Sequence, residues 1–517
     1  MKQEEFFAEV AVEKFDLLSR EDLITFAKGE QKLRIQLQKE VKRLSALNEE
    51  LKQKTFLVEE KYIHVKSKMF GRSSEKTPHK KSRRESGEKR KKVQLPSERY
   101  PDAPIIVKDV ELATLPKCRC CGEKMRDSGM TEDSESLTVI PAQFLVVLQR
   151  RHKYSCGKCY GDLQTAPAPP AITPGSSYSD EMKVDVALSK YCDLIPVERY
   201  SAMAGRSGLE DLPPQSLIES THQLADFVKP AYEKVKEEVK SDSLLQADET
   251  PHKMLEGSDK KNWQLWGFSS KKAAFFEIHA TRSGDVASDV LVNSKCEFLM
   301  SDRFSGYDKA VREANEIRKE LMPSPIFIKN IYCNAHARRK FKEIEKALEK
   351  ELHPKELRFF SVLYRRIYHL EKKAKKGPPD KVLKYRARME LLFKAMREKA
   401  LLVIATYSEK SKMGMALAYF LKNYEGLTFF LSNANLPIDN NSQESLLRNP
   451  VIGRKTWYGT HSERGAQTAA ILFTLVETCK LLGVNPRLYF KKLVESIHAK
   501  KGAFTPYQFK QQEIAPK

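Results

Sequence analysis

From Ser243 the chain leaves helical spacing and runs through four short apolar and aromatic segments: SLLQADET, WQLWGFSS, AAFFEIHAT and CEFLMSDRFSGY. Their alternation and aromatic content predict strands, and SGDVASDVLVN, just before the fourth, predicts a helix. Strands mixed with helices make an α/β sheet the expected fold class. Two segments carry an acid where the apolar run stops, Asp248 in the first and Asp302 in the fourth. Ligands gather at the carboxyl ends of strands in open α/β sheets, so both acids are candidate site residues.

Further along, IFIKNIYCNAHARRKF predicts another strand and then a basic helix start, with His336, Arg338 and Arg339 as a candidate DNA-contacting cluster. From about 340 to 430 the chain is helical and charged, without strand alternation, which suggests an inserted helical lobe. LPIDNNSQESLLRNPVIGRKTWYGTHSERGA follows. Asp439 is the expected N-cap there, with Gln443 and Glu444 in the first turns, Leu446 and Leu447 toward the core, and Glu444 and Arg448 on another face. Glu444 can then meet the two aspartates. Three carboxylates with no paired base or nucleophile suggest metal chemistry. Mg²⁺ (or Mn²⁺) takes a few carboxylates and keeps positions for water and phosphate oxygens. Two such ions roughly 3.5–4 Å apart stabilise the attacking and leaving oxygens of a phosphoryl displacement. Arg448, Arg454 and Lys455, just past Glu444, are candidates to hold phosphates, with ordinary helix-face salt bridging as the alternative.

Cys118 and Cys121 form one CxxC pair, and Cys156 and Cys159 form another. Gly122 and Gly157 directly follow Cys121 and Cys156 and permit a tight knuckle. Four thiolates so arranged suit a structural, tetrahedral Zn²⁺, and Cys120 is able to replace a neighbour as ligand. The intervening LTVIPAQFLVVLQRRHKYS predicts a strand.

Ahead of the cysteines, from Leu33 onward, Leu37, Leu44, Leu51 and Val58 recur every seven residues. They serve as d positions opposite a weak a seam of Arg34, Val41, Asn48, Thr55 and Tyr62. A self-associating coiled coil and one amphipathic helix packed on its own domain both fit this pattern. Between Lys68 and Lys92 eleven Lys/Arg stand against three acids, the composition of a flexible basic linker. Residues of about 178 to 240 predict helices, broken at the double proline before Gln215. The net charge of +22 directs attention to a polyanionic partner, nucleic acid being the common one. No apolar run nears the roughly 18 residues of a membrane span, and MKQEEFFAEV lacks the layout of a signal peptide. A cytoplasmic, nucleoid-associated protein without membrane contact is the expectation. The resulting division is a helical or coiled-coil region at 1–66, a basic linker at 67–100 and a zinc-binding domain at 101–165. A helical connector or DNA-binding region at 166–240, a catalytic domain at 241–480 and a helical tail at 481–517 complete it.

These motifs together resemble transposases of the insertion-sequence-66 family over nearly the whole length. FGRSSEK, the two CxxC pairs, SKYCDLIPVERY, ADETP, SDRFSGY, CNAHARRKF and DNNSQESLLRNPVIGRK follow the family's order; GRKTWYG departs from its commoner GRKNWLF. The resemblance implies an RNase H-like core with a helical insertion before the last acid. It also implies a catalytic, Mg²⁺-holding triad of Asp248, Asp302 and Glu444, and double-stranded DNA as partner: terminal inverted repeats and target. Synapsis of two ends implies a homo-oligomer, and accessory proteins of the element often accompany the family. A non-catalytic zinc and coiled-coil DNA binder, and a nuclease of the same fold without strand transfer, remain as alternatives.

Overall fold

The computed structural model describes residues 163–256, 261–348 and 352–514 continuously. Before them it describes 34–48, 95–101, 104–107, 134–137, 143–155 and isolated positions between 19 and 124. The chain divides into two compact units. One comprises, among the described residues after 166, Pro167–Tyr200 and Pro213–Lys517; the other comprises Arg72–Ala166 with Ser201–Leu212.

In the smaller unit, β1 (Lys153–Ser155) pairs antiparallel with β2 (Leu163–Thr165). The strand expected over the preceding apolar run is shorter than its sequence suggests. Residues 143–150 form no strand, and Leu145 to Leu148 are exposed. Alternation becomes a strand only where a partner edge accepts its hydrogen bonds, and among the described residues that edge begins at Lys153. The four paired cysteines and the basic linker to residue 94 lie outside the described residues, whereas Cys120 is described, exposed and free. Of the heptad positions, 34–48 are helical, and Leu37, Val41 and Leu44 are exposed. The rest of the proposed seam also lies outside the described residues.

The larger unit is mixed α/β with a helical majority. It opens with α1 (Asp180–Tyr191), α2 (Val197–Arg206, which runs on into the other unit) and α3 (Pro214–Lys240). Pro214 sits in the first turn of α3, where a missing N–H costs nothing, so the double proline starts this helix. Five strands follow: β3 (Leu244–Lys253), β4 (Asn262–Ser269), β5 (Ala274–His279), β6 (Phe298–Ser301) and β7 (Lys329–Tyr332). They lie in the order β5-β4-β3-β6-β7. The first three form an antiparallel meander, and β6 and β7 add in parallel. The parallel additions need crossovers, supplied by α4 (Asp285–Val292) and α5 (Ser305–Leu321).

Helical cover explains the sheet's stability. In α12 (Glu463–Leu482) every residue from Thr468 to Cys479 is buried, the mark of a central helix. It closes the open edge of β5: the Ala274 and Phe276 amides donate to the Thr478 and Thr474 hydroxyls at 3.1 and 2.9 Å. Unpaired edge groups would otherwise invite association. Arg318 of α5, almost fully buried, donates to the carbonyls of Leu291, Val292, Ser294, Cys296 and Ile326, tying the α4 end to the approaches of β6 and β7.

Between β7 and Asn441, every regular element among the described residues is helical. These are α6 (Asn334–Ala347), α7 (Leu357–Ala374), α8 (Pro379–Val403), α9 (Lys412–Lys422) and α10 (Tyr424–Thr428), with short 3₁₀ turns. They enclose their own core around Phe341, Phe360, Tyr364, Phe393 and Phe420, which reaches Met300 and Ile331 of the sheet. The chain then returns through α11 (Asn441–Trp457), α12, α13 (Pro486–His498) and α14 (Pro506–Ile514). No helix among the described residues is long and apolar enough to cross a membrane.

Candidate active site

Asp248 lies in the middle of β3, not at its end. The apolar run stops there, but antiparallel pairing with β4 carries the strand on to Lys253. What ends near Asp248 is the parallel pairing with β6, whose last register pair is Gln246 with Met300. Asp302 stands two residues past Met300, as Asp248 stands two past Gln246. Period-two geometry therefore puts both acids at one level and on one face, where β3 and β6 part.

That parting frees the Ala247 carbonyl and the Gln246 side chain, and the start of α11 takes both. Asn440 Nδ2 donates to the Ala247 carbonyl at 2.9 Å, Gln246 Nε2 donates to Asn440 Oδ1 at 3.1 Å, and Ser442 Oγ donates to Gln246 Oε1 at 2.5 Å. The N-cap is thus Asn440, one residue after the expected Asp439, and its side chain serves β3 instead of capping. Asp439 still accepts from the Asn441 amide. At the far end, Tyr458 and Gly459 turn at positive φ, and the Thr460 amide donates to the Lys253 carbonyl at 3.0 Å. Both ends of α11 are pinned to β3, with Leu446 and Leu447 buried as expected.

Gly267 of β4 sits opposite Asp248, and a Cβ there would fall 2.3 Å from Gln443 Nε2. Its missing side chain lets α11 settle on the sheet. Gln443 is fully buried, and the Phe276 ring crowds the same point at 3.0 Å. Gly267→Ala is accordingly expected to cost about 1–3 kcal/mol in denaturant unfolding; an unchanged midpoint would show that α11 does not need this approach.

The three acids act on one another's charge here. Asp248 accepts from the Glu249 amide at 2.9 Å, yet its pKa is pushed up to about 8, first by burial and then by the charges of Asp302, Glu249 and Glu444. Asp302 accepts from the Phe304 amide at 2.9 Å, and its carbonyl takes the Tyr419 hydroxyl at 3.4 Å. The next residue, Arg303, holds a left-handed φ of 76°, a strained conformation for a side-chain-bearing residue. Its guanidinium is locked by Asn423 and Asp308, both at 2.6 Å. Glu444 faces α6: His336 Nδ1 lies 3.7 Å from Oε1, and Arg339 Nη2 lies 3.4 Å from Oε2. Oε1 is buried without a hydrogen-bond partner.

The Asp248 shift has a measurable consequence. Its folded pKa near 8 exceeds the unfolded value near 3.9, so between those limits the folded state binds the extra proton. Stability from this group is full below about pH 4 and is lost as pH rises through 8. In chelator, Asp248→Asn should melt near the unaltered chain at pH 4 and become the more stable by about 2–4 kcal/mol at pH 8. A difference independent of pH would contradict a carboxyl raised by burial and by neighbouring charge.

The expected DNA-contacting residues separate. His336 and Arg339 turn to Glu444, while Arg338 stacks on Tyr368, 4.7 Å from the ring centroid. Arg454 is half-buried and donates to Thr250 Oγ1 at 3.3 Å. Arg448 and Lys455 are exposed on α11. Sequence reasoning passed over Glu249, whose side chain is buried between Arg282 (2.6 Å) and the Tyr307 hydroxyl (2.8 Å). It also passed over Asn440 and Cys333, and named Gln443 only as a first-turn residue of the helix. Only Gly267, a glycine inside a strand, carried a readable signal of close approach.

Carboxylates gathered at the cost of a raised pKa, with one buried oxygen unsatisfied, make a donor set suited to a hard divalent cation. Comparison with known proteins gives the family. Residues 175–468 match the family model described as "Transposase IS66 family", and residues 116–160 match "zinc-finger binding domain of transposase IS66". The second match contains all four paired cysteines. Two similar proteins come from Sinorhizobium fredii (strain NBRC 101917 / NGR234). "Uncharacterized protein y4hP" is 26% identical over 400 residues, covering 74% of this chain and 70% of its own length. "Uncharacterized protein y4jD" is 24% identical over 392 residues, 74% of each.

Proposed function

The chain belongs to the IS66 transposase family, and from that premise we propose that it cuts the ends of its insertion sequence and joins the freed 3′-hydroxyls to target DNA. The observation that carries this reading is Asp248, whose pKa is raised to about 8 by burial first and then by the charges of Asp302, Glu249 and Glu444. We read the β5-β4-β3-β6-β7 sheet as an RNase H-like core, with α6–α10 inserted before the last acid.

In this reading the three carboxylates hold the divalent cations, Mg²⁺ or Mn²⁺. Such ions, when bound, activate the attacking oxygen and stabilise the leaving one in an in-line phosphoryl displacement. The chain's own contribution is placement. Asn440 and Gln246 fix the start of α11 against β3, so Glu444 is held beside the aspartates without having to be ordered during the reaction. Phe304 and Tyr419 hold the turn that presents Asp302. Arg448 and Lys455, exposed along the same helix, are positioned to neutralise phosphates of bound DNA. Arg454 supports α11 through Thr250, and Arg338 and Arg339 add positive charge from α6.

Cys118, Cys121, Cys156 and Cys159 would hold a structural Zn²⁺ within the zinc-finger match. The exposed apolar residues of 34–48 fit self-association, which pairing two DNA ends would require. The test is an assay on linear duplex carrying the inverted repeats that flank the gene, with Mg²⁺ and a target plasmid. Nicking followed by joined products supports the reading. Hydrolysis without joining would make the enzyme a nuclease, and binding with no cutting would leave only a DNA-binding protein.

A further inference from the structure

Beside the acids lies a second cluster of different chemistry. Cys333 is the N-cap of α6 and His336 its third residue. An N-cap side chain leans toward the third position of its helix, so the Cys-x-x-His spacing brings thiol and imidazole together. Glu444 reaches the same point from α11, and one donor atom from each of the three lies within 4.8 Å of the others. Cys333 Sγ accepts the Asn440 amide at 3.2 Å, which keeps it aimed at this corner. His336 Nδ1 and Glu444 Oε1 face each other at 3.7 Å, each buried and without a hydrogen-bond partner. Two unsatisfied buried polar atoms in opposition are costly, and a cation between them would satisfy both.

Ligand softness decides which cation. Thiolate, imidazole and one carboxylate form a three-ligand set for zinc-like ions, whereas Mg²⁺ takes oxygen ligands and gains nothing from sulfur. We propose that Cys333, His336 and Glu444 form a second site, sharing Glu444 with the acids, for a thiophilic divalent cation such as Zn²⁺ or Co²⁺, with a water in the fourth position. Binding releases the thiol proton to solvent. It also places the imidazole proton on Nε2, so Arg339, now 3.2 Å from that nitrogen, must withdraw. The ion then replaces Arg339 as the charge opposite Glu444. Because Glu444 belongs to both clusters, a bound thiophilic ion draws it from the aspartates and opposes catalysis; this last consequence rests on the function proposed above, while the binding does not.

The probe is Co²⁺ added to the full chain after its cysteine pairs have been loaded with zinc. A thiolate-to-cobalt charge-transfer band should grow and saturate at one further equivalent. Cys333→Ser should abolish the band, His336→Ala should weaken binding about tenfold or more, and Arg339→Ala should tighten it. Asp248→Asn should leave the spectrum intact, so failure of the catalytic reading does not alter this result. Absence of any further band in the folded chain overturns the site. So does a band that survives Cys333→Ser, which would belong to other cysteines. If Cys333→Ser does not fold, His336→Ala decides: unchanged cobalt affinity overturns the site, and weakened binding supports it.

Discussion

Asp248→Asn is expected to reduce Mg²⁺-dependent cleavage of the element ends by at least about 1,000-fold, roughly 4 kcal/mol of barrier, while DNA binding stays within about twofold. The substitution keeps the side chain's size and its acceptance of the Glu249 amide through the carbonyl oxygen. Its loss is the negative charge that a cation needs. Asp248 stands where the parallel pairing of β3 and β6 stops, level with Asp302 and opposite Gly267, so neither neighbour can replace it. Glu249, adjacent in sequence, is bound to Arg282 and Tyr307 and is not free to substitute. The same variant is predicted to be the more stable at pH 8 without metal. Lost activity joined to gained stability is what a site that crowds like charges for function should show. Cleavage at the unaltered rate would remove Asp248 from the chemistry.

Arg386→Ala is expected to destabilise the chain by about 3–5 kcal/mol, measured by denaturant unfolding. Arg386 on α8 and Glu371 on α7 are both almost fully buried and 2.7 Å apart. Removing the guanidinium leaves the Glu371 carboxylate without its partner. It also strips a donor from the carbonyls of Phe430, Asn433 and Leu436, bound at 2.6, 2.6 and 2.9 Å. Those carbonyls lie on the segment leading to Asn440 and Glu444, so the inserted helices fasten the approach to the third acid. Replacing Glu371 and Arg386 together by apolar residues should recover part of the loss, but not that of the three carbonyls. An Arg386→Ala chain that unfolds within about 0.5 kcal/mol of the original would show the ion pair to be replaceable by water.

Periodicity and composition made much of the fold readable. Aromatic, alternating runs gave β4 and β5 because a sheet covered by helices buries such residues, and the charged stretch after 340 gave helices for the matching reason. Two features escaped because their cause is non-local. β3 runs past its apolar residues because β4 continues beside it, and no local pattern announces a partner's length. Asn440 displaces Asp439 as N-cap because Ala247, 193 positions earlier, offers a carbonyl. The apolar run before Lys153 failed in the opposite sense: its residues suit a strand, but the described residues supply no partner until β1 meets β2.

At the candidate site, the acids were legible as residue types in motifs, while their common level on the sheet was not. Gln246, Gly267 and Gln443 do the positioning, and polar or small residues like these are ordinary on any surface. Charge placement was the least legible. Arg454, His336 and Arg339 were expected to face DNA, yet one lies against Thr250 and the other two against Glu444. Counting cations along a chain does not reveal which are already engaged.

Mn²⁺ binding to the zinc-loaded full chain, followed by the loss of the free-ion electron paramagnetic resonance signal, tests the shared site most directly. The unaltered protein should bind Mn²⁺, and Asp248→Asn, Asp302→Asn and Glu444→Gln should each weaken that binding about tenfold or more. Full binding retained by Glu444→Gln, with loss in both aspartate variants, would show that α11 does not bring its glutamate to the same ion.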